Sequence, residues 1–254
     1  MKQPFSKRRP LTAAIIVAVI CVAFTAVGTA MSQILALPDT TAYLLIAAFL
    51  FVSTLVGLLI MKRSPDTLAQ YGFGSQPFAG AAGVWFYLPL VLIEILPLAI
   101  YGVEKGHNAG YYATMLLFTI MIGFNEETYF RGLVLHFLQN KSTRWAVWGS
   151  SVIFGLLHAA NLLGGKDVLY TMLQILFAFL VGLVLAELLV QTGSLWVLVF
   201  WHAAHDFISY ITPQVLDAGQ LALLGAQVAI LLVYVVVLQK KRAAAQAKGA
   251  AAAL

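Results

Sequence analysis

Apolar runs of about twenty residues alternate with short polar gaps along most of this chain. A helix rising 1.5 Å per residue needs about 20 apolar residues to cross a hydrocarbon core about 30 Å thick. That ruler predicts helices over 11–36, 42–61, 79–101, 111–138, 144–163, 168–190, 194–211 and 219–239. Helix breakers occupy the gaps, among them LPDT (37–40), KRSPD (62–66), GGKD (164–167), TG (192–193) and TPQ (212–214). The stretch 64–77, SPDTLAQYGFGSQP, is too short and polar to span, and reads as an interfacial segment or loop. The tail 243–254, AAAQAKGAAAAL, is low-complexity and reads as disordered or as a fraying helix end. The pattern is all-α: a polytopic membrane helical bundle of about eight transmembrane helices, forming one integral-membrane domain over 1–242.

Composition agrees with the pattern. Of 254 residues, 61% are hydrophobic and 10% charged, against about a quarter charged in soluble domains. The polar KQPFSKRRP leads into an apolar run that continues to about Leu37. This is longer than the h-region of a cleaved signal peptide, so a first transmembrane helix is the better reading. AVI before Cys21 also makes a poor lipoprotein cleavage site. The single cysteine excludes a disulfide scaffold and a cysteine-based zinc site. With both termini in the cytoplasm, twelve of the fifteen Lys and Arg fall inside. Lys105 and Lys166 fall outside, and Arg131 lies within a helix. That bias obeys the positive-inside rule and favours an even number of spans. The net charge of +5 therefore reflects orientation in the cell membrane and carries no nucleic-acid signature.

Against this background, a few charges stand out. Glu94, Glu126, Glu127, Arg131 and Asp206 fall inside predicted helices, whereas Glu187 is placed near a helix end with access to water. Each buried charge costs roughly 2.5–3.5 kcal/mol at a helix centre, so such groups must be paired, hydrated or coordinated. Glu127 and Arg131 are i and i+4 with the acid first, the favourable order for a same-face ion pair. Glu126 points about 100° away and is free to face another helix. SVIFGLLHAAN (151–161) sets Phe154 and His158 four residues apart. LWVLVFWHAAHDF (195–207) puts His202 and Asp206 on one face, with His205 able to join them. A lone histidine in a membrane helix is ordinarily a helix–helix hydrogen-bond partner, but three beside an unpaired glutamate point to chemistry. His136, near a predicted helix end, and His107, in a loop, do not fit the cluster.

EETYFR (126–131), FGLLH (154–158) and HAAHD (202–206) resemble, in order and on separate helices, the three motifs of the CPBP or Abi family. These membrane proteins are similar to type II CAAX prenyl endopeptidases and to bacteriocin-processing and self-immunity proteins. The resemblance covers about residues 110–210, taken as the catalytic core. It implies an eight-helix intramembrane endopeptidase in which Glu126 and His158 activate water and His202 with Asp206 completes the site. Glu127, Arg131, Phe154 and His205 are supporting residues. Asp206 stands where relatives often carry asparagine. An ionised aspartate cannot donate to an oxyanion, so Asp206 is expected to be protonated, to orient His202, or to bind a metal.

Peptide hydrolysis needs an activated water, stabilisation of the tetrahedral oxyanion and a proton for the leaving amine. Two schemes satisfy this requirement with the same residues. In one, Glu126 is the general base and His158 shares or relays its proton. In the other, Glu126, His158, His202 and Asp206 hold one divalent, zinc-like ion. Neither HExxH nor GxSxG occurs, which argues against gluzincin-like metalloproteases and serine hydrolases. The expected partners are membrane lipids and a peptide or protein substrate, with lipidation of that substrate left open. The competing readings are a non-catalytic self-immunity or binding protein of the same fold and, less favoured, a proton-coupled transporter. Transporters commonly carry internal repeats with paired broken helices, and Pro89 and Pro97 have no counterpart in the second half of this chain. The topology has a direct check. With Cys21 replaced, cysteines introduced at positions 105 and 166 should react with an impermeant reagent only from outside. Labelling of both from the cytoplasm alone would refute the orientation.

Overall fold

A computed structural model of the chain describes residues 3–74, 84–162, 164–213 and 217–252. Among the described residues there is no strand. After one turn at Phe5–Arg8 the principal helices are α1 (Pro10–Ile34), α2 (Asp39–Lys62), α3 (Leu88–Tyr101) and α4 (Ala109–Glu127). They are followed by α5 (Thr143–Leu157), α6 (Val168–Thr192), α7 (Trp196–Ile211) and α8 (Ala218–Ala252). Among the described residues, five helices are long and apolar enough to cross a membrane: Pro10–Ile34, Asp39–Lys62, Thr143–Leu162, Val168–Thr192 and the stretch Ala218–Lys248. Leu88–Tyr101 is apolar but shorter. Large apolar side chains such as Phe51, Phe200 and Val233 face outward, as the lipid-facing surface of a membrane protein requires.

The predicted helices recur with four informative differences. The third starts its α-helical part at Leu88, with Pro89 in the first turn, where a missing N–H costs nothing. The predicted start over 79–83 lies outside the described residues, as do residues 75–77 of the interfacial stretch, residue 163, residue 214 of the TPQ gap and the last two residues of the tail. The fourth helix is not one uninterrupted α-helix. After Glu127 it widens into a π-helix over Thr128–Val134 before resuming at Leu135–Gln139. The fifth tightens into a 3-10 turn at His158–Leu162. The last continues through the tail to Ala252, because alanine is the best helix former.

Small residues let the helices that carry the motifs meet backbone to backbone. A Cβ on Gly123 would stand 2.8 Å from the carbonyl oxygen of Val199 and 2.9 Å from the amide nitrogen of Ala203, so α4 and α7 approach closely only because glycine is there. Gly155 plays the same part between α5 and α6, facing the Ile175 carbonyl oxygen at 3.0 Å. Helix α6 is the most enclosed of the five, with 61% of its most apolar stretch buried. The segment after α2 folds back through a 3-10 turn at Leu68–Tyr71, which Thr67 and Gln70 cap reciprocally. Gly72, at φ +96°, then accepts a backbone hydrogen bond from Leu195 at 2.8 Å.

The expectation that Glu187 reaches water is overturned. Glu187 is fully buried and receives two hydrogen bonds from the Arg242 guanidinium on α8, at 2.8 and 2.9 Å. An extra turn and more of α8 beyond the predicted end at 239 makes this possible, since it carries Arg242 back over α6. Gln191 donates across the same interface to the Leu238 carbonyl at 3.1 Å. Arg242→Met should therefore destabilise the protein by about 3–5 kcal/mol, because it strands a buried carboxylate. Replacing Glu187 and Arg242 together with methionine should cost less. Thermal unfolding in detergent reads both, and equal losses would refute the pairing.

Candidate active site

Helix α4 ends on the two glutamates, and they take different surroundings. Glu127 is fully buried, and its Oε1 accepts a hydrogen bond from Arg131 at 2.9 Å. The two side chains are 0% and 1% exposed, so this is a true interior ion pair, as the spacing predicted. The same Oε1 lies 2.7 Å from His202 Nδ1 on α7. Assigned as a donor at that nitrogen, His202 presents Nε2 to Glu126 and Asp206. Nε2 is 3.7 Å from Glu126 Oε2 and 3.8 Å from Asp206 Oδ2, ion-pair distances rather than hydrogen bonds. The group that orients His202 is therefore Glu127, and Asp206 does not hydrogen-bond the ring. Helical spacing could not reveal this link, because it joins residues 75 positions apart across the α4–α7 contact.

Phe154 ties the second motif to the other two. Its ring lies 4.1 Å from the Arg131 guanidinium and meets the rings of Phe130, His158 and His202 edge-on, at 4.9, 4.9 and 6.0 Å. A guanidinium over an aromatic face is attracted by the ring quadrupole, and more strongly where water is excluded. His158 stands where α5 gives way to the 3-10 turn, and its Nδ1–H donates to the Phe154 carbonyl at 2.9 Å. Its Nε2 is thereby left with a lone pair for chemistry. All three motifs thus converge on one site from α4, α5 and α7.

Sequence reasoning missed a second pair. His205 Nδ1 lies 3.0 Å from Glu94 Oε1 on α3, and the imidazole is stacked between Trp201 and Phe177, at 5.2 and 5.4 Å. Glu94 stood out only as a charge in an apolar helix, which was the one signal available. Asn125, beside the glutamates, donates from Nδ2 to Cys21 at 3.1 Å and so anchors α1. His136 and His107 lie apart from the site. His136 pairs with Asp66 at 3.0 Å, and His107 stacks on Tyr111 at 3.8 Å.

A cavity of about 210 Å³ is lined by His158, His202 and Asp206, and also by Glu94, His205 and Gln227. Glu126 is not on its wall, and its carboxylate meets the cavity across His202. Residues 108–208 match the model of a family described as type II CAAX prenyl endopeptidase Rce1-like. That match supports a CPBP (Abi) type of assignment for the matched stretch. No curated protein and no solved structure matches the chain. The matched stretch begins at the cap of α4 and ends within α7, so it holds every motif residue above.

Among the described residues no group of three or more His, Cys, Asp or Glu side chains is placed to hold a metal ion. Glu127 is already committed to Arg131 and His202. The buried pair has its own check. Arg131→Ala should lower stability by about 3–5 kcal/mol by stranding Glu127, and Glu126→Gln should cost far less. Unfolding of the two variants in detergent compares them, and equal stability would mean that Glu127 is not charged.

Proposed function

We propose that this protein is an intramembrane endopeptidase that hydrolyses a peptide bond with water activated at the Glu126–His158–His202 site. The observation that carries the reading is the three-motif convergence around His202, with carboxylates of Glu126 and Asp206 both within 4 Å of its Nε2. The family match over 108–208, to a description that names an endopeptidase, supports the same reading. In this mechanism Glu126 takes a proton from water as the oxygen attacks the carbonyl, and His158 Nε2 shares that proton. His202 acts as an imidazolium, donating Nδ1–H to Glu127 and presenting Nε2–H to the developing oxyanion. Fixed donors in a water-poor site are worth more there than in solution, and they need no reorganisation. The proton gathered at Glu126 and His158 passes to the leaving amine. Asp206 keeps His202 flanked by negative charge, which favours the ring as a donor.

The proposed topology adds α3, α4 with its π segment, and α7 to the five apolar spans. This gives eight crossings of the cell membrane with both termini in the cytoplasm. The substrate is a peptide or protein segment that enters from the membrane.

Glu126→Gln keeps volume and hydrogen bonding but cannot accept the proton, so hydrolysis should fall by about 10²–10⁴ with the fold intact. Purified wild type and variant, reconstituted in lipid and compared for new peptide termini, provide the measurement. A fully active Glu126→Gln protein would end the general-base assignment, and an inactive wild type would favour a binding role. Activity should also survive chelator washing that leaves no bound metal. Loss on chelation with recovery on adding zinc would establish the metal scheme instead.

A further inference from the structure

The cavity beside the hydrolytic centre occupies only one half of the bundle. Among the described residues, its lining starts at Glu94 in α3, at Phe154 in α5 and at His202 in α7, three helices that run the same way. In α6 and α8, which run back, it stops at Val181 and Gln227. These limits form a floor, across which Gln227 donates to the Ile93 carbonyl at 3.1 Å and the Phe154 and His202 rings meet at 6.0 Å. Beyond the floor the interior is packed apolar core, with Leu183, Val184, Leu185 and Leu188 of α6 and Leu198 of α7 at most 2% exposed. From the floor every wall runs toward one face. There the Glu104 N–H donates to the Ile211 carbonyl at 2.7 Å, and a Cβ on Gly219 would stand 2.7 Å from the Tyr101 hydroxyl oxygen. The ends of α3 and α7 thus meet the start of α8 on that face. Tyr170 and Leu221, at the starts of α6 and α8, line the cavity there and are 37% and 47% exposed, whereas His202 on the floor is 5% exposed.

The two faces differ in charge. The closed face carries Lys62 and Arg63 at the end of α2, Lys141 ahead of α5, and Lys240, Lys241 and Arg242 in α8. Arg242 reaches Glu187 there, and the Lys241 ammonium lies 4.6 Å from the Phe86 ring just before α3. The open face carries Lys105 and Lys166. By the positive-inside rule the closed face lies in the cytoplasm and the mouth points outward. We infer that the substrate is an extracytoplasmic peptide segment, an exported peptide or the outer end of a membrane-bound chain, which enters through the outer half of the membrane. This rests on the proposed hydrolase reading and topology, and adds the compartment from which the site is supplied. The depth suits an extended chain. Thr212, at the mouth, is ten residues beyond His202, about 15 Å along α7 and half of a hydrocarbon core about 30 Å thick. An extended peptide rises about 3.3 Å per residue, so about four or five residues reach from the mouth to the bond held at His202. A cytoplasmic peptide would instead have to carry its backbone N–H and C=O groups through packed leucines that offer them no partner.

The test uses the full-length protein in two sealed preparations from expressing bacteria: spheroplasts, which present the outer side, and inverted membrane vesicles, which present the cytoplasmic side. A random-sequence peptide library is added to each, cleaved bonds are read by mass spectrometry, and cleavages abolished by Glu126→Gln are counted. Cleavage should occur with spheroplasts, be lost with inverted vesicles, and return when detergent opens the vesicles. Cleaved bonds should lie at least about four residues from one peptide end, the reach of an extended strand from the mouth. A second reading uses Leu221→Cys, or Tyr170→Cys should the first fail to fold, in protein with Cys21 replaced. A bulky impermeant thiol reagent applied from outside should label the variant and abolish its own cleavage. Glu126-dependent cleavage that occurs only in sealed inverted vesicles, or equally in both preparations, would overturn outward access while leaving the hydrolase reading intact. So would labelling from the cytoplasmic side alone, or complete labelling that leaves cleavage unchanged. No Glu126-dependent cleavage in either preparation or in detergent would overturn both.

Discussion

One buried oxygen organises this molecule. Glu127 Oε1 accepts from Arg131 on its own helix and from His202 on α7, and the carboxylate has no access to solvent. A charge in that position is tolerable only while both partners remain, since burial removes the hydration that would otherwise stabilise it. The bond therefore fixes three things together: the face of α4, the crossing of α4 with α7, and the ring orientation of His202. Gly123 makes the crossing possible by removing the one Cβ that would hold the two backbones apart. Glu126, one residue earlier, inherits its direction from this lock and is left to face the reactive side of the imidazole.

The local irregularities fall where the site needs them. The π segment begins immediately after Glu127 and keeps Arg131 buried against Phe154, while the 3-10 turn begins at His158 itself. Wide or tight turns of this kind carry poorer backbone hydrogen bonding than an α-helix, and they recur at functional positions. Here each coincides with a motif residue, and the His158 side chain satisfies the Phe154 carbonyl at the transition. The rest of the bundle is conventional helix packing by contrast, closed at its other end by the Glu187–Arg242 pair.

Much of the arrangement was legible in the residues alone. Apolar run length predicted the helices, because lipid demands about twenty residues whatever their identity. The i,i+4 spacing predicted the Glu127–Arg131 pair, since one helix fixes its own faces. The three motifs carried the family resemblance, and they lie wholly within the matched stretch 108–208. Glu187 was misread because its distance from a helix end said nothing about what covered that end.

What only the tertiary structure decided is which faces meet. The Glu127–His202 bond, the Glu94–His205 pair and the Glu187–Arg242 pair join residues 75, 111 and 55 positions apart, and each depends on how two helices cross. Helical periodicity specifies directions around an axis, but axes are placed by packing of small and large residues between helices. The residue types and their order determined that this is a helical membrane protein with a carboxylate–histidine site. The packing determined that Glu127 orients His202, that Asp206 stands off at 3.8 Å, and that Glu94 shares the cavity.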